Sequence, residues 1–254
     1  MTIEIFGLPV DYIDCGSGKE TVLLLHGWGA PLEAYGRLIE KLSARYRVVA
    51  PQMPGTGKTP DPPEPMTLED YERFVAAFCR ALGLEKVILM GHSNGGRIIL
   101  RLLSRPRPAV ECEKAVLIDS AGVVPKRPIS YYYKVYTYKL LKKLARFALT
   151  KPLFGALYEK RRSSSESEDY KNASEVMRKT LVNLVNTDLK EQMPLVRQNT
   201  LLIWGENDTA TPLSDGQTME KLMPNAGLAV IKNAGHFAFL ENWPQFSAVL
   251  DAFL

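Results

Sequence analysis

Short apolar runs recur along the chain, and most of them are followed by a stretch in which apolar residues take helical spacing. The runs that predict strands are residues 3–6, 8–13, 22–25, 47–50, 87–90, 115–118, 201–204 and 228–231. Helices are predicted over 32–42, after the capping-box sequence Thr67-Leu68-Glu69-Asp70, and over 246–253. This alternation predicts an α/β fold with a mostly parallel eight-stranded sheet flanked by helices.

The alternation breaks over residues 122–198. This stretch holds seven of the eleven tyrosines and has helical patterns of its own, so we expect a helical cap or lid inserted into a core formed by 1–121 and 199–254. Such a lid supplies walls of a substrate pocket. From Lys126 to Arg162 it carries eleven Lys or Arg residues and a single acidic one. That charge indicates either attraction for an anionic substrate or membrane surface, or a solvated outer helix face.

The sequence Gly91-His92-Ser93-Asn94-Gly95-Gly96 directly follows the apolar run 87–90 and precedes a stretch with helical periodicity. A strand that turns this sharply into a helix holds the serine in a strained conformation and requires very small neighbours, which the glycines provide. Backbone N–H groups at the start of the helix then point toward the serine hydroxyl and favour developing negative charge. Ser93 is therefore the candidate nucleophile, on a nucleophile elbow.

The chain has three histidines, and each lies in a motif-like position. His26 begins His26-Gly27-Trp28-Gly29 at the end of a predicted strand, and the Trp28 amide of that loop is a candidate oxyanion donor. His92 lies within the elbow. His236 follows the run 228–231, and a loop after a late strand can carry a general base to Ser93. We therefore expect His236 to be the base.

A catalytic histidine needs a carboxylate to orient it. Asp208 lies on the loop after the apolar run 201–204. The chain order Ser93, Asp208, His236 is the order in which an architecture with a nucleophile elbow carries its serine, acid and histidine. Asp119 also ends a predicted strand and is the competing candidate. We favour Asp208 and leave Asp119 open as the alternative.

Taken together, the segments His26-Gly27-Trp28-Gly29, Gly91 to Gly96, Gly205-Glu206-Asn207-Asp208 and Gly235-His236-Phe237 resemble the α/β-hydrolase fold family, in its small form with a helical cap. The resemblance spans nearly the whole chain. It implies that Ser93 attacks, His236 transfers the proton, Asp208 orients His236, and the amides of Trp28 and Asn94 bind the oxyanion. It also implies that His26, Gly27, Gly91, His92 and Gly95 support the site.

The resemblance leaves the reaction open among three possibilities. A serine nucleophile excludes the aspartate-nucleophile branches and favours hydrolysis of a small carboxylic ester, thioester or lactone through an acyl-enzyme. The first alternative is C–C bond hydrolysis of meta-cleavage products, although such enzymes usually have Gly-Pro-Gly in the oxyanion loop and Trp after the catalytic histidine. Here the corresponding residues are Trp28-Gly29-Ala30-Pro31 and Phe237. The second alternative, from another class, is a ligand-sensing receptor on the same fold.

Composition narrows the class of protein further. A chain of 254 residues with 46% hydrophobic residues can bury one large core. The first twenty residues lack a signal-peptide pattern, and no apolar run approaches the length of a membrane span. The cysteines Cys15, Cys79 and Cys112 are odd in number and lack metal-ligand spacing. We expect a cytoplasmic enzyme, monomeric or homodimeric, that uses no metal or cofactor and binds no nucleic acid.

Overall fold

The computed structural model describes residues 1–124 and 173–254, together with positions 133, 136, 137, 140, 141 and 145. Its strands are β1 (Thr2–Ile5), β2 (Leu8–Cys15), β3 (Thr21–Leu25), β4 (Arg47–Pro51), β5 (Ile88–His92), β6 (Lys114–Ile118), β7 (Asn199–Gly205) and β8 (Ala226–Ile231). They form an eight-stranded sheet in the order β1-β2-β4-β3-β5-β6-β7-β8. β1 and β2 pair antiparallel, and β2 pairs antiparallel with β4, whereas the remaining pairs are parallel. The predicted mostly parallel sheet is confirmed.

The helices in the described part of the chain are α1 (Gly36–Ser43), α2 (Leu68–Ala81), α3 (Asn94–Leu103), α4 (Glu175–Val185), α5 (Leu213–Leu222), α6 (Ala238–Glu241) and α7 (Trp243–Phe253). The predicted capping box starts α2, since the Thr67 hydroxyl accepts from the Asp70 amide while the Asp70 carboxylate accepts from the Thr67 amide. α7 begins three residues before the predicted start, because the Asn242 side chain caps it by accepting from the Gln245 amide.

The helix predicted over 32–42 is divided in two. Its first turn, Leu32–Tyr35, is a 3-10 helix, and α1 starts only at Gly36. Tyr35 adopts φ −95° and ψ 5°, which interrupts the α-helical geometry between the two segments. As a result the Tyr35 side chain is directed into the core, where it is fully buried.

Apolar side chains cover both faces of the sheet, because successive residues of each strand point to opposite sides. In β3, Leu23 and Leu25 join the layer that packs with α2, α3 and α5, and Val22 and Leu24 join the layer that packs with α1 and α7. All four of these side chains are fully buried. The central strands are therefore buried on both sides, and the carboxyl ends of the parallel strands are left to build a site.

The chain divides into two compact units, Met1–Val124 with Glu175–Leu254 and, separately, Pro125–Ser174. The sequence placed the cap over 122–198, but α4 and the residues that follow it belong to the larger unit, where Leu184, Leu189 and Met193 are fully buried. In the smaller unit the six described positions 133, 136, 137, 140, 141 and 145 are helical. The rest of the tyrosine-rich, basic stretch lies outside the described residues, so the helical cap and the role of its positive charge remain predictions.

The packing of α3 against the sheet yields a stability prediction. A Cβ at Gly95 would lie 2.0 Å from the carbonyl oxygen of Leu25, whereas a Cβ at Gly36, in helical geometry, would meet nothing within 4 Å. We expect Gly95→Ala to lose about 3 kcal/mol or more of unfolding free energy, because α3 or the backbone of Leu25 must move to admit the methyl group. Gly36→Ala, the matched control, should gain about 0.4–1 kcal/mol. Urea unfolding measures both, and equal effects would contradict the close approach.

Candidate active site

Ser93 occupies the turn between β5 and α3 with φ 50° and ψ −112°, a conformation that non-glycine residues rarely adopt. Backbone hydrogen bonds hold it there: its amide donates to Ile118 at 3.0 Å, and its carbonyl accepts from Ala121 at 3.0 Å. The flanking glycines are required by space. A Cβ at Gly91 would lie 2.6 Å from the amide of Gly96 across the turn. The predicted elbow is present. The hydrogen bond to Ile118 in β6 helps to hold Ser93 in its strained conformation.

The three residues predicted to act together are brought into contact. His236 Nε2 lies 3.0 Å from Ser93 Oγ, and His236 Nδ1 lies 2.8 Å from Asp208 Oδ2. Asp208 accepts through its carboxylate, so Nδ1 carries the proton and Nε2 is free to accept from the serine hydroxyl. The Asp208 side chain is fully buried, whereas that of His236 is 21% exposed. This is the arrangement of a nucleophile, a base and an orienting acid.

Asp208 is held by more than His236. Its carboxylate also accepts from the amides of Ala210 at 2.8 Å and Thr211 at 3.0 Å, and from the Thr211 hydroxyl at 2.7 Å. Burial raises the pKa of Asp208, but the hydrogen bonds from His236 and Thr211 outweigh it, so the pKa lies below the usual range. The carboxylate is therefore ionised at neutral pH. Thr211 was not predicted from the sequence, although a Thr three residues after an acidic loop residue is a recognisable turn signal.

Asp119 has a different environment from Asp208. It is fully buried with φ 44°, and its carboxylate accepts from the amides of Gly205 at 2.7 Å and Ala238 at 3.1 Å. Burial raises its pKa to about 7, although these two amides act in the opposite direction. Asp119 thus joins the end of β6 to β7 and α6. The geometry favours Asp208 as the partner of His236.

Two backbone amides are available beside the serine. Asn94 is the first residue of α3, where amides have no partner within the helix and the helix dipole is positive. Within residues 1–124 and 173–254, neither the Asn94 amide nor the Trp28 amide donates a hydrogen bond to another protein group. Both predicted oxyanion donors are therefore free to bind a ligand oxygen.

His26 fixes the start of the Trp28 loop. Its Nδ1 donates to the carbonyl of Gly27 at 2.7 Å, and its Nε2 accepts from the amide of Met53 at 2.9 Å. Because a carbonyl only accepts and an amide only donates, the proton is on Nδ1. Burial lowers the pKa of His26 to about 4. His26 is accordingly a neutral structural group.

A chain of hydrogen bonds connects the Trp28 loop, the elbow and the base. The amide of Gly27 donates to the Tyr35 hydroxyl at 2.9 Å, and that hydroxyl lies 2.8 Å from His92 Nδ1. His92 Nε2 lies 2.7 Å from the backbone carbonyl of His236. The carbonyl must accept, so His92 carries its proton on Nε2 and receives the Tyr35 proton on Nδ1. Burial, with a smaller effect of the neighbouring His236, lowers the pKa of His92 to about 3.

This chain of bonds positions three parts of the site at once. It holds the residue before Trp28, the residue before Ser93 and the backbone of His236. The space is also tight, since a Cβ at Gly27 would lie 2.8 Å from His92 Nδ1. Tyr35 was missed by the sequence analysis, and nothing in its local sequence distinguishes it from a core tyrosine.

The described part of the chain offers neither a metal-binding cluster nor a membrane-spanning helix. No group of three or more His, Cys, Asp or Glu side chains there could hold a metal ion. Among the helices of that part, none combines the length and apolar character needed to cross a membrane.

The family model for the alpha/beta hydrolase fold matches residues 20–242. The chain belongs to the α/β-hydrolase family. A 2-hydroxy-6-oxononadienedioate/2-hydroxy-6-oxononatrienedioate hydrolase of Pseudomonas putida is 28% identical, over 97% of this chain and 92% of the relative. A 2-hydroxy-6-oxo-6-phenylhexa-2,4-dienoate hydrolase of Burkholderia cepacia is 26% identical, over 95% and 89% respectively. Among solved structures, a bacterial membrane phospholipase A is 26% identical with a TM-score of 0.74, covering all of this chain and 86% of that one.

The two buried histidines yield a prediction for pH. By imidazole ¹⁵N NMR we expect His26 as the Nδ1–H tautomer and His92 as the Nε2–H tautomer, both neutral down to pH 5, because their folded pKa values are about 4 and 3. Unfolded imidazole binds a proton below about pH 6.5. These residues therefore reduce the unfolding free energy as the pH falls from about 6.5 toward 4. Protonation of either ring in the folded protein above pH 5.5 would refute this.

Proposed function

We propose that this chain is a serine hydrolase that cleaves a C–C bond next to a carbonyl group in a small dienoate substrate of the meta-cleavage type. The observation that carries this proposal is the similarity to the Pseudomonas putida and Burkholderia cepacia hydrolases, which extends over nearly the full length of all three chains. The contact of His236 with both Ser93 and Asp208 supports it.

In the proposed reaction His236 Nε2 takes the proton of Ser93 Oγ as the oxygen adds to the substrate carbonyl. The amides of Trp28 and Asn94 donate to the oxyanion that forms. Asp208 holds His236 in the tautomer that can accept this proton and stabilises the imidazolium. When the bond to the leaving group breaks, its electron pair departs with that group, and His236 returns the proton to it. Water then adds to the acyl-enzyme, with His236 again as the base.

C–C hydrolysis and ester hydrolysis differ in the group that leaves. In an ester the leaving group is an oxygen atom, which departs as an alcohol once it is protonated. In the C–C reaction it is a carbanion, which departs only when a conjugated carbonyl system accepts its electron pair. A dienoate with a second carbonyl function provides that conjugation, so the same three side chains suffice for either reaction.

Ester hydrolysis is the second candidate, and specific observations favour it. The oxyanion loop reads Trp28-Gly29-Ala30-Pro31 rather than Gly-Pro-Gly, and Phe237 rather than Trp follows the proposed base. The similarity to a phospholipase A structure, at 26% identity, also supports acyl-ester chemistry. A direct comparison of substrates separates the two candidates.

The test measures turnover of 2-hydroxy-6-oxo-6-phenylhexa-2,4-dienoate, by loss of its absorbance, beside p-nitrophenyl esters of graded acyl length. For the wild type we expect kcat/KM for the dienoate to exceed that for every ester. Ser93→Ala should lower kcat by about 10³-fold or more, because the nucleophile is removed while folding is retained. Ester turnover without dienoate turnover would instead establish the ester reaction, and tight binding without turnover would indicate a ligand sensor.

The assignment of the acid is tested by a matched pair of variants. Asp208→Asn should lower kcat by about 10³- to 10⁴-fold, since the amide favours the wrong tautomer of His236. Asp119→Asn should lower kcat less than about tenfold. It should instead lower the unfolding free energy by about 1–3 kcal/mol, because its NH₂ group would face a backbone N–H. Kinetics and urea unfolding measure both, and the reverse pattern of activities would make Asp119 the acid.

A further inference from the structure

Arg97 is a buried cation with almost no hydrogen-bond partners. It lies in α3, four residues after Ser93, and is only 7% exposed. In the described part of the chain its one hydrogen bond is a long one, from Nη1 to the Asn94 side-chain oxygen at 3.4 Å. Its Nε is buried with no acceptor. A guanidinium has five N–H donors, so most of its capacity is unused.

The next arginine of the same helix, by contrast, is paired with carboxylates. Arg101 lies 2.6 Å from the carboxylate of Glu69 and 3.3 Å from that of Glu72, and it donates to Gln192 at 2.8 Å. Both arginines lie on α3, one turn apart, and the Nε of each is buried without a hydrogen-bond acceptor. The difference is that no carboxylate of the described residues lies beside Arg97.

An unpaired buried charge is costly in free energy, so proteins that retain one compensate it or use it. Burial lowers the pKa of Arg97 to about 10, which still leaves the side chain positively charged at neutral pH. A replacement by an apolar side chain of similar length would remove the cost. The position therefore holds a charge that the described part of the fold does not use.

The geometry of α3 directs the Arg97 side chain toward the end of the helix that follows Ser93. Gly95 and Gly96 face the sheet, where a Cβ would lie 2.0 Å from the Leu25 carbonyl and 2.1 Å from the Ser120 hydroxyl respectively. Asn94 and Arg97, three residues apart, share another face of the helix. Helical side chains lean toward the N-terminus, and the bond to Asn94 places the guanidinium at the end of α3 where Ser93 lies.

We propose that Arg97 binds a carboxylate group of the substrate, at a subsite next to the carbonyl that Ser93 attacks. A carboxylate is planar and accepts two parallel hydrogen bonds from a guanidinium, which matches the unused donors of this side chain. The positive end of α3 adds to the attraction. This inference rests on the proposed function, because it requires Ser93 to be the nucleophile. It adds that the enzyme prefers anionic substrates over neutral ones of the same shape.

The test separates binding from turnover by using Ser93→Ala. Its ligands are 2-hydroxy-6-oxo-6-phenylhexa-2,4-dienoate and the methyl ester of that acid, which differ in charge. We expect the acid to bind at least tenfold more tightly than its methyl ester. Adding Arg97→Met should weaken binding of the acid about 30-fold or more, since a buried ion-pair partner is lost. Binding of the methyl ester should change less than about threefold.

Two further variants control for charge and for folding. Arg97→Lys keeps the charge without the fork of donors and should restore part of the affinity for the acid. Arg101→Met removes a paired cation one turn away and should leave the preference for the acid over the ester unchanged. In thermal unfolding, Arg97→Met should match or exceed the parent in Tm, whereas Arg101→Met should lower it, because only the second removes ion pairs, those with Glu69 and Glu72.

The outcomes distinguish this inference from the proposed function. Equal affinity for acid and ester in Ser93→Ala, or equal losses for both in Arg97→Met, would overturn the carboxylate subsite even if the wild type turns over the dienoate. The wild type could fail to turn over the dienoate while Ser93→Ala still binds the acid selectively through Arg97. That result would support the subsite and would contradict only the proposed C–C hydrolysis.

Discussion

The site depends on the close approach of α3 to the carboxyl ends of β3 and β6. Ser93 adopts φ 50° because the chain must reverse there within one residue, and the reversal is possible only where neighbouring side chains are absent. Gly95 against the Leu25 carbonyl and Gly96 against Ser120 are the points where helix and sheet meet. The cost of the strained serine is offset by the buried layers on both faces of the sheet. The nucleophile and a free amide of Asn94 result from the same geometry.

The remaining parts of the site are aligned to this point by buried polar groups. The bonds from Gly27 through Tyr35 and His92 to the carbonyl of His236 connect three segments that are far apart in the chain. Asp119 joins β6 to β7 and α6 in the same region. Each of these groups has its partners, which is what makes burial of polar atoms tolerable. Arg97 differs, because no carboxylate of the described residues lies beside it, and this is the observation from which the carboxylate subsite is proposed.

Much of the fold could be predicted from the sequence, because the period of apolar residues separates strands from helices and the capping box at Thr67 marks the start of α2. The boundaries were less accurate. The helix at 32–42 begins as a 3-10 turn, and α7 starts at Trp243, since its cap is Asn242. The stretch from 175 to 198 was assigned to the cap, but Leu184 and Met193 belong to the core of the larger unit. Amphipathic spacing reveals that a helix has an apolar face without revealing what that face packs against.

The sequence by itself determined the fold family and predicted Ser93 and His236 as a nucleophile and its base, because a nucleophile elbow and the loops after late strands are local patterns with definite chemistry. Only the tertiary structure decided between Asp208 and Asp119, since both end a strand and the distance to His236 Nδ1 depends on how the strands are ordered in the sheet. It also brought in Tyr35 and Thr211, and among the described residues it placed no counterion beside Arg97. Hydrogen bonding and the pairing of buried charges are properties of neighbours in space, and linear sequence does not specify those neighbours.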